Sequence, residues 1–420
     1  MSDTITNAAQ GGYPTAQGRP SKVAIIGAGA VGSTLAYACV NKGVAREIVL
    51  QDIAKEKVEA EAMDIAQGIQ FTSAGSVAGS DDPEICRGAD VIAITAGAKQ
   101  KPGQSRIELA GATVGIMEKI LPKLVEVAPN AIFVLVANPV DVVTYCAKKI
   151  TGLPENQIFG SGTVLDTARM RYLVSLETGT AVQNIHGYIA GEHGDSEVAL
   201  WSSAQIGGVP LTQWGPTLDG GHFDQEKRER IAYDVVRSAY RIIEGKGVTN
   251  YAVGLAVQRI ISAVLNDEQR VLTISPLLEQ WHGISDVCMS VPTIVGREGL
   301  QVAEVRDAVG VRVDEVRPSA KGGVDAGDDE GRGSDAPAHA HADADALCEG
   351  RLACSEPARE HDEVSGYQHA PEIFAERARL VGVAGVDGVG GDGLISHERC
   401  SPGSRWPHRR RRGECGRPGG

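Results

Sequence analysis

The sequence has no long apolar stretch, no closely paired cysteines and no excess of basic residues. No apolar run approaches the ~20 residues of a membrane-spanning helix, and residues 1–20 lack the basic and apolar regions of a signal peptide. The 420 residues carry a formal net charge of -13, so no overall basic field attracts nucleic acid or an anionic membrane. These absences predict a cytoplasmic protein whose ligands are small molecules, not nucleic acid or membrane.

The eight cysteines are scattered, and none forms a C-x-x-C pair, the usual spacing of zinc ligands. Two of them, Cys39 and Cys146, lie within apolar helical patterns, where a reduced thiol behaves as a small hydrophobic side chain. The sequence therefore predicts no metal site and no disulfide.

Residues 21–161 alternate apolar runs with helical patterns. The runs KVAIIGA, EIVLQD, ADVIAIT and AIFVLVANP are continuous and rich in β-branched residues, as in strands covered on both faces. The alternation predicts an α/β fold with a Rossmann-type, doubly wound parallel sheet. Residues 162–299 mix long helical patterns with short strands and predict a second domain of α+β type. Residues 1–20 are expected to form a flexible arm.

The segment GAGAVG matches the G-x-G-x-x-G pattern of dinucleotide-binding turns at Gly27, Gly29 and Gly32. The first glycine permits a tight turn, the second lets a pyrophosphate approach the backbone, and the third lets the helix pack close to the sheet. Free N–H groups at the start of the helix face the phosphates. Because a strand precedes the turn and a helix follows it, a dinucleotide site is favoured over a plain glycine-rich turn.

Asp52 ends the next strand, about 20 residues after Gly32, where a carboxylate accepts hydrogen bonds from both ribose hydroxyls. An acid at this position repels a 2′-phosphate, so the sequence favours NAD over NADP. The neighbouring Lys55 and Lys57 keep NADP open as an alternative.

Two polar segments hold candidate catalytic residues. GEHGDSEV contains His193, and LDTAR places Asp166 and Arg169 at i and i+3 on one face of a helix. Taken alone, His193 is typical of a hydrogen-bonded surface histidine. Asp166 and Arg169, taken alone, are typical of an exposed salt bridge. Beside a nicotinamide, the three supply what a carbonyl reduction requires: a proton donor, a carboxylate that fixes its tautomer, and a guanidinium for a substrate carboxylate.

The series GAGAVGS, TAGAKQKPGQSRIEL, VANPVDV, GSGTVLDTARMR and GEHGDSEV resembles the L-2-hydroxyacid dehydrogenase family, which contains L-lactate and malate dehydrogenases. The similarity covers roughly residues 21 to 299 in the order and spacing of the family. It implies an NAD-binding domain over 21–161, a substrate and catalytic domain over 162–299, and a fermentative role at the end of glycolysis.

The resemblance also implies the role of each site residue. His193 is the general acid and base, Asp166 pairs with its other ring nitrogen, and Arg169 holds the substrate carboxylate in a bidentate pair. Arg106, on a loop, polarises the ketone oxygen. Thr249 lies against the small end of the substrate, unless it merely caps the following helix. The positions that line the cofactor include Val31, Lys57, Gly97, Ala98, Val136 and Asn138, and Asn138 also contacts the substrate.

Gln100 separates the two branches of the family. A malate enzyme is expected to have an arginine at this loop position, six residues before Arg106. A neutral glutamine leaves the second carboxylate of oxaloacetate without a countercharge, whereas pyruvate has only a methyl group there. The resemblance therefore implies pyruvate and L-lactate. Because Lys99 and Lys101 flank Gln100, malate dehydrogenase stays an alternative, as do enzymes for bulkier 2-oxo acids.

Arg171 and His186 are candidate effector residues. On their own they are typical of a solvated helix residue and a strand-edge histidine. In bacterial lactate dehydrogenases that respond to fructose 1,6-bisphosphate, an arginine and a histidine at the matching positions bind the phosphates across a subunit interface. The resemblance thus implies a homotetramer in which this polyanion relieves the repulsion between basic groups.

The family pattern breaks after Gly299. Residues 300–420 are rich in Gly, Ala, Asp, Arg and His, and they lack the strand and the long amphipathic helix that the family pattern continues with. Such a composition predicts disorder, and it is also what a GC-rich coding region gives in a wrong reading frame. We favour a frameshift near residue 300 over an authentic disordered extension. A catalytically impaired dinucleotide-binding protein is the resulting alternative function.

Overall fold

A computed structural model describes residues 20–98, 106–215, 217–281 and 284–301, which fall in one compact unit of the chain. Three sequence predictions lie outside these residues: the flexible arm up to residue 19, Gln100 on its loop, and the tail from residue 302.

The first part of the chain forms a six-stranded parallel sheet. Its strands are β1 (Lys22–Ile26), β2 (Glu47–Gln51), β3 (Ser76–Ser80), β4 (Val91–Ile94), β5 (Ile132–Leu135) and β6 (Ile158–Gly160). Their order across the sheet is β3-β2-β1-β4-β5-β6. The order reverses between β1 and β4, which opens a ligand crevice at the carboxyl ends of these strands. The predicted α/β class and doubly wound parallel sheet are confirmed.

Four helices accompany the sheet: α1 (Ala30–Lys42), α2 (Lys55–Gln67), α3 (Arg106–Val127) and α4 (Val140–Thr151). The central strands are apolar on both faces because both faces are covered. Ile25 and Leu50 belong to one buried cluster, whereas Ile26 and Phe133 belong to another. Such burial contributes about 1.5–3 kcal/mol for each large side chain.

The sequence predicts that Arg106 lies on a loop, but Arg106 is the first residue of α3. The buried side chains Leu109, Val114 and Met117 begin a helical pattern immediately after it, and Glu108 lies in the first turn, where an acid favours the helix start.

The second part contains the helices α5 (Val164–Thr178), α6 (Gln225–Lys246) and α7 (Tyr251–Leu265). Its strands are β7 (Ile185–His186), β8 (Ile189–Ala190), β9 (Val198–Ala199), β10 (Gln205–Ile206), β11 (Val209–Pro210), β12 (Arg270–Ile274), β13 (Leu277–Leu278), β14 (Val287–Cys288), β15 (Val291–Gly296) and β16 (Gly299–Gln301). They pair antiparallel as β11-β10-β7, β12-β15-β16, β13-β14 and β8-β9. The α+β character predicted for this part is confirmed.

Short 3-10 turns connect several of these elements, at Ile69–Phe71, Pro83–Cys86, Glu155–Gln157, Val182–Asn184, Trp201–Ser203 and Leu211–Gln213.

Helix α7 packs against the dinucleotide half of the molecule. Its residues Val257 and Ile261 belong to the same buried cluster as Ile25 of the parallel sheet. Gly254 permits this approach, since a Cβ there would lie 2.8 Å from Cγ2 of Thr34 in α1. The residues just before α7, which include Thr249, are thereby fixed next to the first turns of α1.

Cys39, Cys86 and Cys288 are buried free thiols, and burial raises the pKa of each. Cys146 is buried in α4, and the expectation of no disulfide stays a prediction.

In the part of the chain that the structure describes, no helix is both long and apolar enough to cross a membrane.

Candidate active site

His193, Asp166 and Arg169 meet in one buried cluster. The Nδ1 atom of His193 lies 2.6 Å from Oδ2 of Asp166, and Nη1 of Arg169 donates to Oδ1 of the same carboxylate at 2.7 Å. The side chain of Asp166 is only 2% exposed, against 24% for His193 and 13% for Arg169. One buried carboxylate thus holds two partly accessible cationic groups.

Hydrogen bonds fix α5 against β8 and so place Asp166 opposite His193. The hydroxyl of Thr163, just before α5, donates to the carbonyl of Ile189 at 2.6 Å. The N–H of Ile189 donates to the hydroxyl of Thr167 at 2.9 Å. Because all these groups are buried, each bond also avoids the penalty of an unpaired polar atom. His193 follows β8 in the turn that leads to β9.

Asp141 holds the backbone of His193, a role that the sequence reading did not find. Its Oδ2 accepts the His193 N–H at 2.8 Å, and its Oδ1 accepts the hydroxyl of Ser275 at 2.5 Å. The carboxylate thereby joins α4, the catalytic turn and the residue after β12. The available signal was one acid inside the apolar helical pattern NPVDVVTYCA.

Burial and charge shift the pKa values of these groups in opposite directions. Burial opposes the imidazolium of His193, but the charge of Asp166 and their hydrogen bond outweigh it and raise the pKa to about 9. For Asp166, burial favours the neutral acid, yet His193 and Arg169 lower the pKa. Burial raises the pKa of Asp141 to about 6, against the hydrogen bonds from Ser275 and His193. At neutral pH His193 is therefore a protonated donor beside an ionised Asp166.

Glu197 is a second acid next to this cluster, and the sequence does not predict it either. A carboxylate oxygen of Glu197, one of Asp166 and a ring nitrogen of His193 lie within 4.8 Å of one another. Oε1 of Glu197 is buried and has no hydrogen-bond partner among the described residues. In the polar segment GEHGDSEV nothing distinguishes a buried glutamate from an exposed one, so the sequence carried no signal for it.

The glycine-rich turn has the shape that a bound pyrophosphate needs. Gly27 has a φ of +99°, and a Cβ on Gly32 would lie 1.8 Å from the Gly27 carbonyl oxygen, so both are packed as glycines. A Cβ on Gly29 would meet nothing within 4 Å. The open space lies at the N-terminus of α1, where no side chain caps the helix. Backbone N–H groups there are free to bind an anion.

Asp52 stands at the end of β2 and faces this turn. Its Oδ2 accepts the N–H of Ala28 at 2.7 Å, and its Oδ1 accepts the N–H of Ala54 at 3.0 Å. A half-buried carboxylate so oriented suits ribose hydroxyls and disfavours a phosphate. Lys57 is exposed in the first turn of α2, and Lys55 pairs with Asp81 at 3.8 Å. Because Lys55 is paired with an acid, it is less available to bind the 2′-phosphate of NADP.

Comparison with known proteins matches both halves of the chain. The model of the lactate/malate dehydrogenase NAD binding domain matches residues 21–160, and that of the lactate/malate dehydrogenase alpha/beta C-terminal domain matches residues 163–312. The chain belongs to the lactate/malate dehydrogenase family. It is an NAD-dependent oxidoreductase, and the open turn at Gly29 with Asp52 beside it fits that cofactor.

Individual relatives of this dehydrogenase are also similar to it. An L-lactate dehydrogenase of Bifidobacterium animalis subsp. lactis is 58% identical over 282 residues, which are 67% of this chain and 88% of the relative. One of a Thermoanaerobacter species is 47% identical over 280 residues, covering 67% and 89%. The crystal structure of the minor L-lactate dehydrogenase of Enterococcus mundtii is 37% identical, with a TM-score of 0.64, and covers 69% of this chain and 93% of that one.

Most of the remaining site residues that the sequence predicted for the dehydrogenase directly follow strands of the parallel sheet. Gly97 and Ala98 follow β4, Val136 and Asn138 follow β5, and these four are exposed or half-buried. Val31 is half-buried in α1, and Thr249 is half-buried just before α7. The structure does not describe Gln100.

The two predicted effector residues of the dehydrogenase lie close to each other in the fold. The Nε–H of Arg171, in α5, donates to the carbonyl of Gly187 at 3.0 Å, directly after His186. The guanidinium carbon lies 5.1 Å from the ring centroid of Tyr188. His186 is exposed at the end of β7. One basic side chain is therefore held by the protein, whereas the other is open to solvent.

Proposed function

We propose that this chain is an L-lactate dehydrogenase that reversibly reduces pyruvate to L-lactate and regenerates NAD for fermentation at the end of glycolysis. The observation that carries the proposal is the His193–Asp166 pair, because it holds a partly exposed, protonated imidazole against a buried carboxylate. Relatives that are 58% and 47% identical to this chain are named L-lactate dehydrogenases.

In this proposal His193 donates its Nε2 proton to the carbonyl oxygen of pyruvate, and takes the proton back in lactate oxidation. Asp166 holds Nδ1, fixes the tautomer and stabilises the imidazolium. Arg169 grips the substrate carboxylate with the guanidinium edge that it does not use for Asp166. Arg106 polarises the carbonyl, Asn138 orients the substrate, and Thr249 contacts its methyl end.

NADH supplies the hydride when it is bound. The residues proposed to hold NADH are Gly27, Gly29, Val31, Gly32, Asp52, Lys57, Gly97, Ala98, Val136 and Asn138. No metal has a role in the proposal, since His193 supplies the proton and Arg106 the polarisation.

Replacing His193 with glutamine tests the assignment. The variant His193→Gln keeps a neutral, polar side chain but cannot donate a proton, so kcat with pyruvate should fall about 10²–10⁴-fold. The dissociation constant for NADH, measured by fluorescence, should stay unchanged. A variant that retains full pyruvate turnover would remove His193 from the mechanism.

Malate dehydrogenase is the second candidate, because the matching family models cover both activities. The neutral Gln100 supports pyruvate, since a second carboxylate would be left without a countercharge. In a Gln100→Arg variant the ratio of kcat/KM for oxaloacetate to that for pyruvate should rise by about 100-fold or more. An unchanged ratio would mean that another residue reads the far end of the substrate.

We extend the proposal to assembly and regulation. The chain forms a cytoplasmic homotetramer that responds to fructose 1,6-bisphosphate, and Arg171 and His186 bind its phosphates across a subunit interface. Support comes from two basic groups next to each other at Gly187. Saturating fructose 1,6-bisphosphate should lower the KM for pyruvate and raise the tetramer fraction in light scattering. No effect on either quantity would exclude this type of regulation. His186→Gln should weaken the response and leave the NADH affinity unchanged.

A further inference from the structure

Glu197 has no role in the mechanism so far, although it lies inside the active site. It is half-buried, and its Oε1 is buried without a hydrogen-bond partner among the described residues. A buried ionised carboxylate in that position would cost several kcal/mol of desolvation. A neutral carboxylic acid avoids most of this cost, since it carries no charge.

The charges around Glu197 favour the same protonation state. Asp166, ionised and buried, repels a second negative charge nearby, whereas His193 and Arg169 attract it. Both oxygens of Asp166 are already bonded to His193 and Arg169, so the single negative charge of Asp166 is shared between the two cations. Burial, and then the charge of Asp166, raise the pKa of Glu197 to about 8.

The net charge of the cluster indicates what the neutral form of Glu197 does. With Asp166 ionised, His193 protonated and Arg169 charged, these three groups carry one positive charge in excess; Asp141, at the His193 N–H, adds the same charge in either state of Glu197. One substrate carboxylate cancels that excess if Glu197 is neutral. If Glu197 is ionised, the cluster is already balanced, and a substrate carboxylate adds an uncompensated charge in a partly desolvated site.

We propose that Glu197 is a positioning residue that works in its neutral form: it leaves a charge on the Arg169–His193 pair for one substrate carboxylate, and its ionisation weakens pyruvate binding. The inference rests on the proposed function for the identity of the substrate. It assigns to Glu197 an effect on KM and on its pH dependence, exerted through Arg169 and His193.

The test uses the variant Glu197→Gln, which keeps the shape of the neutral acid but cannot ionise. Above about pH 9, log KM of the wild type should rise with a slope greater than one, because Glu197 and His193 have both lost protons there. The slope for Glu197→Gln should not exceed one.

The matched control is Glu192→Gln, which removes the same charge at an exposed glutamate of the same turn. Its profile of log KM against pH should follow the wild type. Two results would overturn the inference: identical profiles for the wild type and Glu197→Gln, or a KM for Glu197→Gln that is raised by the same factor at every pH, as a structural defect would give.

Infrared spectroscopy of the NADH-loaded protein separates this inference from the proposed function. At about pH 7, the difference spectrum of wild type minus Glu197→Gln should contain the C=O band of a protonated carboxylic acid. Absence of the band refutes a neutral Glu197 even if pyruvate is reduced. A band without any binding of pyruvate or oxamate would instead overturn the proposed substrate and, with it, the assigned effect on KM.

Discussion

At the scale of single residues, the buried Asp166 decides how the site behaves. It bonds His193 at 2.6 Å and Arg169 at 2.7 Å, and so orders the proton donor and the carboxylate-binding group together. Asp166 accepts a hydrogen bond from one edge of the Arg169 guanidinium. This shared carboxylate explains why two cations stand side by side in a partly buried site.

The raised pKa of His193 predicts opposite pH profiles for the two directions of the reaction. Reduction of pyruvate needs the imidazolium and, as inferred above, a neutral Glu197, so its kcat/KM should hold at lower pH and fall as pH rises from about 8 through about 9. Oxidation of lactate needs the neutral ring and should rise over the same range. Steady-state rates in both directions check this.

Asp166→Asn removes the charge that raises the pKa of His193. The alkaline fall of pyruvate reduction should then move to lower pH, with kcat/KM reduced by at least ~10-fold at about pH 8. Asp195→Asn, at an exposed aspartate of the same turn, is the control and should leave the profile in place. A profile that Asp166→Asn does not move would contradict the assignment.

The sequence predicts the catalytic residues better than the acids that support them. His193, Asp166 and Arg169 stand in recognisable motifs, and the structure brings all three together. The importance of Asp141 and Glu197 depends on burial. The signal for Asp141 was a single acid in an apolar helical pattern, whereas neither charge nor spacing reveals the burial of Glu197 in its polar segment.

At the scale of elements, the turn between β1 and α1 separates glycines needed for folding from one needed for binding. Gly29 has a φ of -80° and open space at its Cβ position, so alanine is tolerated by the backbone. Gly29→Ala should keep the melting temperature and weaken NADH binding by about 10-fold, since a methyl group enters the pyrophosphate space.

Gly32→Ala is the contrasting change in the same turn. Its Cβ would lie 1.8 Å from the Gly27 carbonyl oxygen, so α1 must move and stability should fall by about 3 kcal/mol. Urea unfolding and NADH titration of both variants measure the difference. Equal losses of stability in the two would contradict the separate roles.

Substitutions of Asp141 and Ser275 test how the elements that meet at the catalytic turn stabilise one another. Asp141→Ala leaves the His193 N–H and the Ser275 hydroxyl buried without an acceptor, which should cost about 2–4 kcal/mol. Ser275→Ala removes one donor and keeps the bond to His193, so it should cost less and retain more activity. Urea unfolding and kcat check the order of the two variants.

The elements also show where sequence patterns stop being informative. β1, β2, β4 and β5 were foreseen because strands buried on both faces are continuous apolar runs. The edge strand β3, with the sequence SVAGS, is half-exposed and lacks such a run, and β6 has only three residues. The packing of α7 on α1 is a tertiary event that depends on Gly254.

At the scale of the whole molecule, several large apolar side chains are left on the surface. Leu255 on α7 is 52% exposed, Met63 on α2 is 61% exposed and Phe71 beyond it is 81% exposed. Such exposed apolar side chains are available to a subunit interface, as the proposed homotetramer requires.

Charged substitutions test that assembly. A variant that combines Met63→Glu and Leu255→Glu should shift the mass in light scattering to a smaller species at micromolar concentration. Val209→Glu, at an exposed valine on β11, is the matched control and should leave the mass unchanged. An unaltered mass in the double variant would place the interface elsewhere.

The tail bears on whether the whole chain is active. The family match ends at residue 312, and we propose that a frameshift near residue 300 replaced the final helix. The coding DNA read in all three frames around codon 300 should then recover an amphipathic helical pattern. If no frame does, the extension is authentic.

The most direct measurement is the comparison of kcat/KM for pyruvate and for oxaloacetate, with NADH and the full chain. The neutral Gln100 and the single clamp at Arg169 predict that pyruvate is preferred by at least ~100-fold. An equal or greater value for oxaloacetate would identify a malate dehydrogenase, and NADH binding without turnover of either substrate would identify a dinucleotide-binding protein that has lost catalysis.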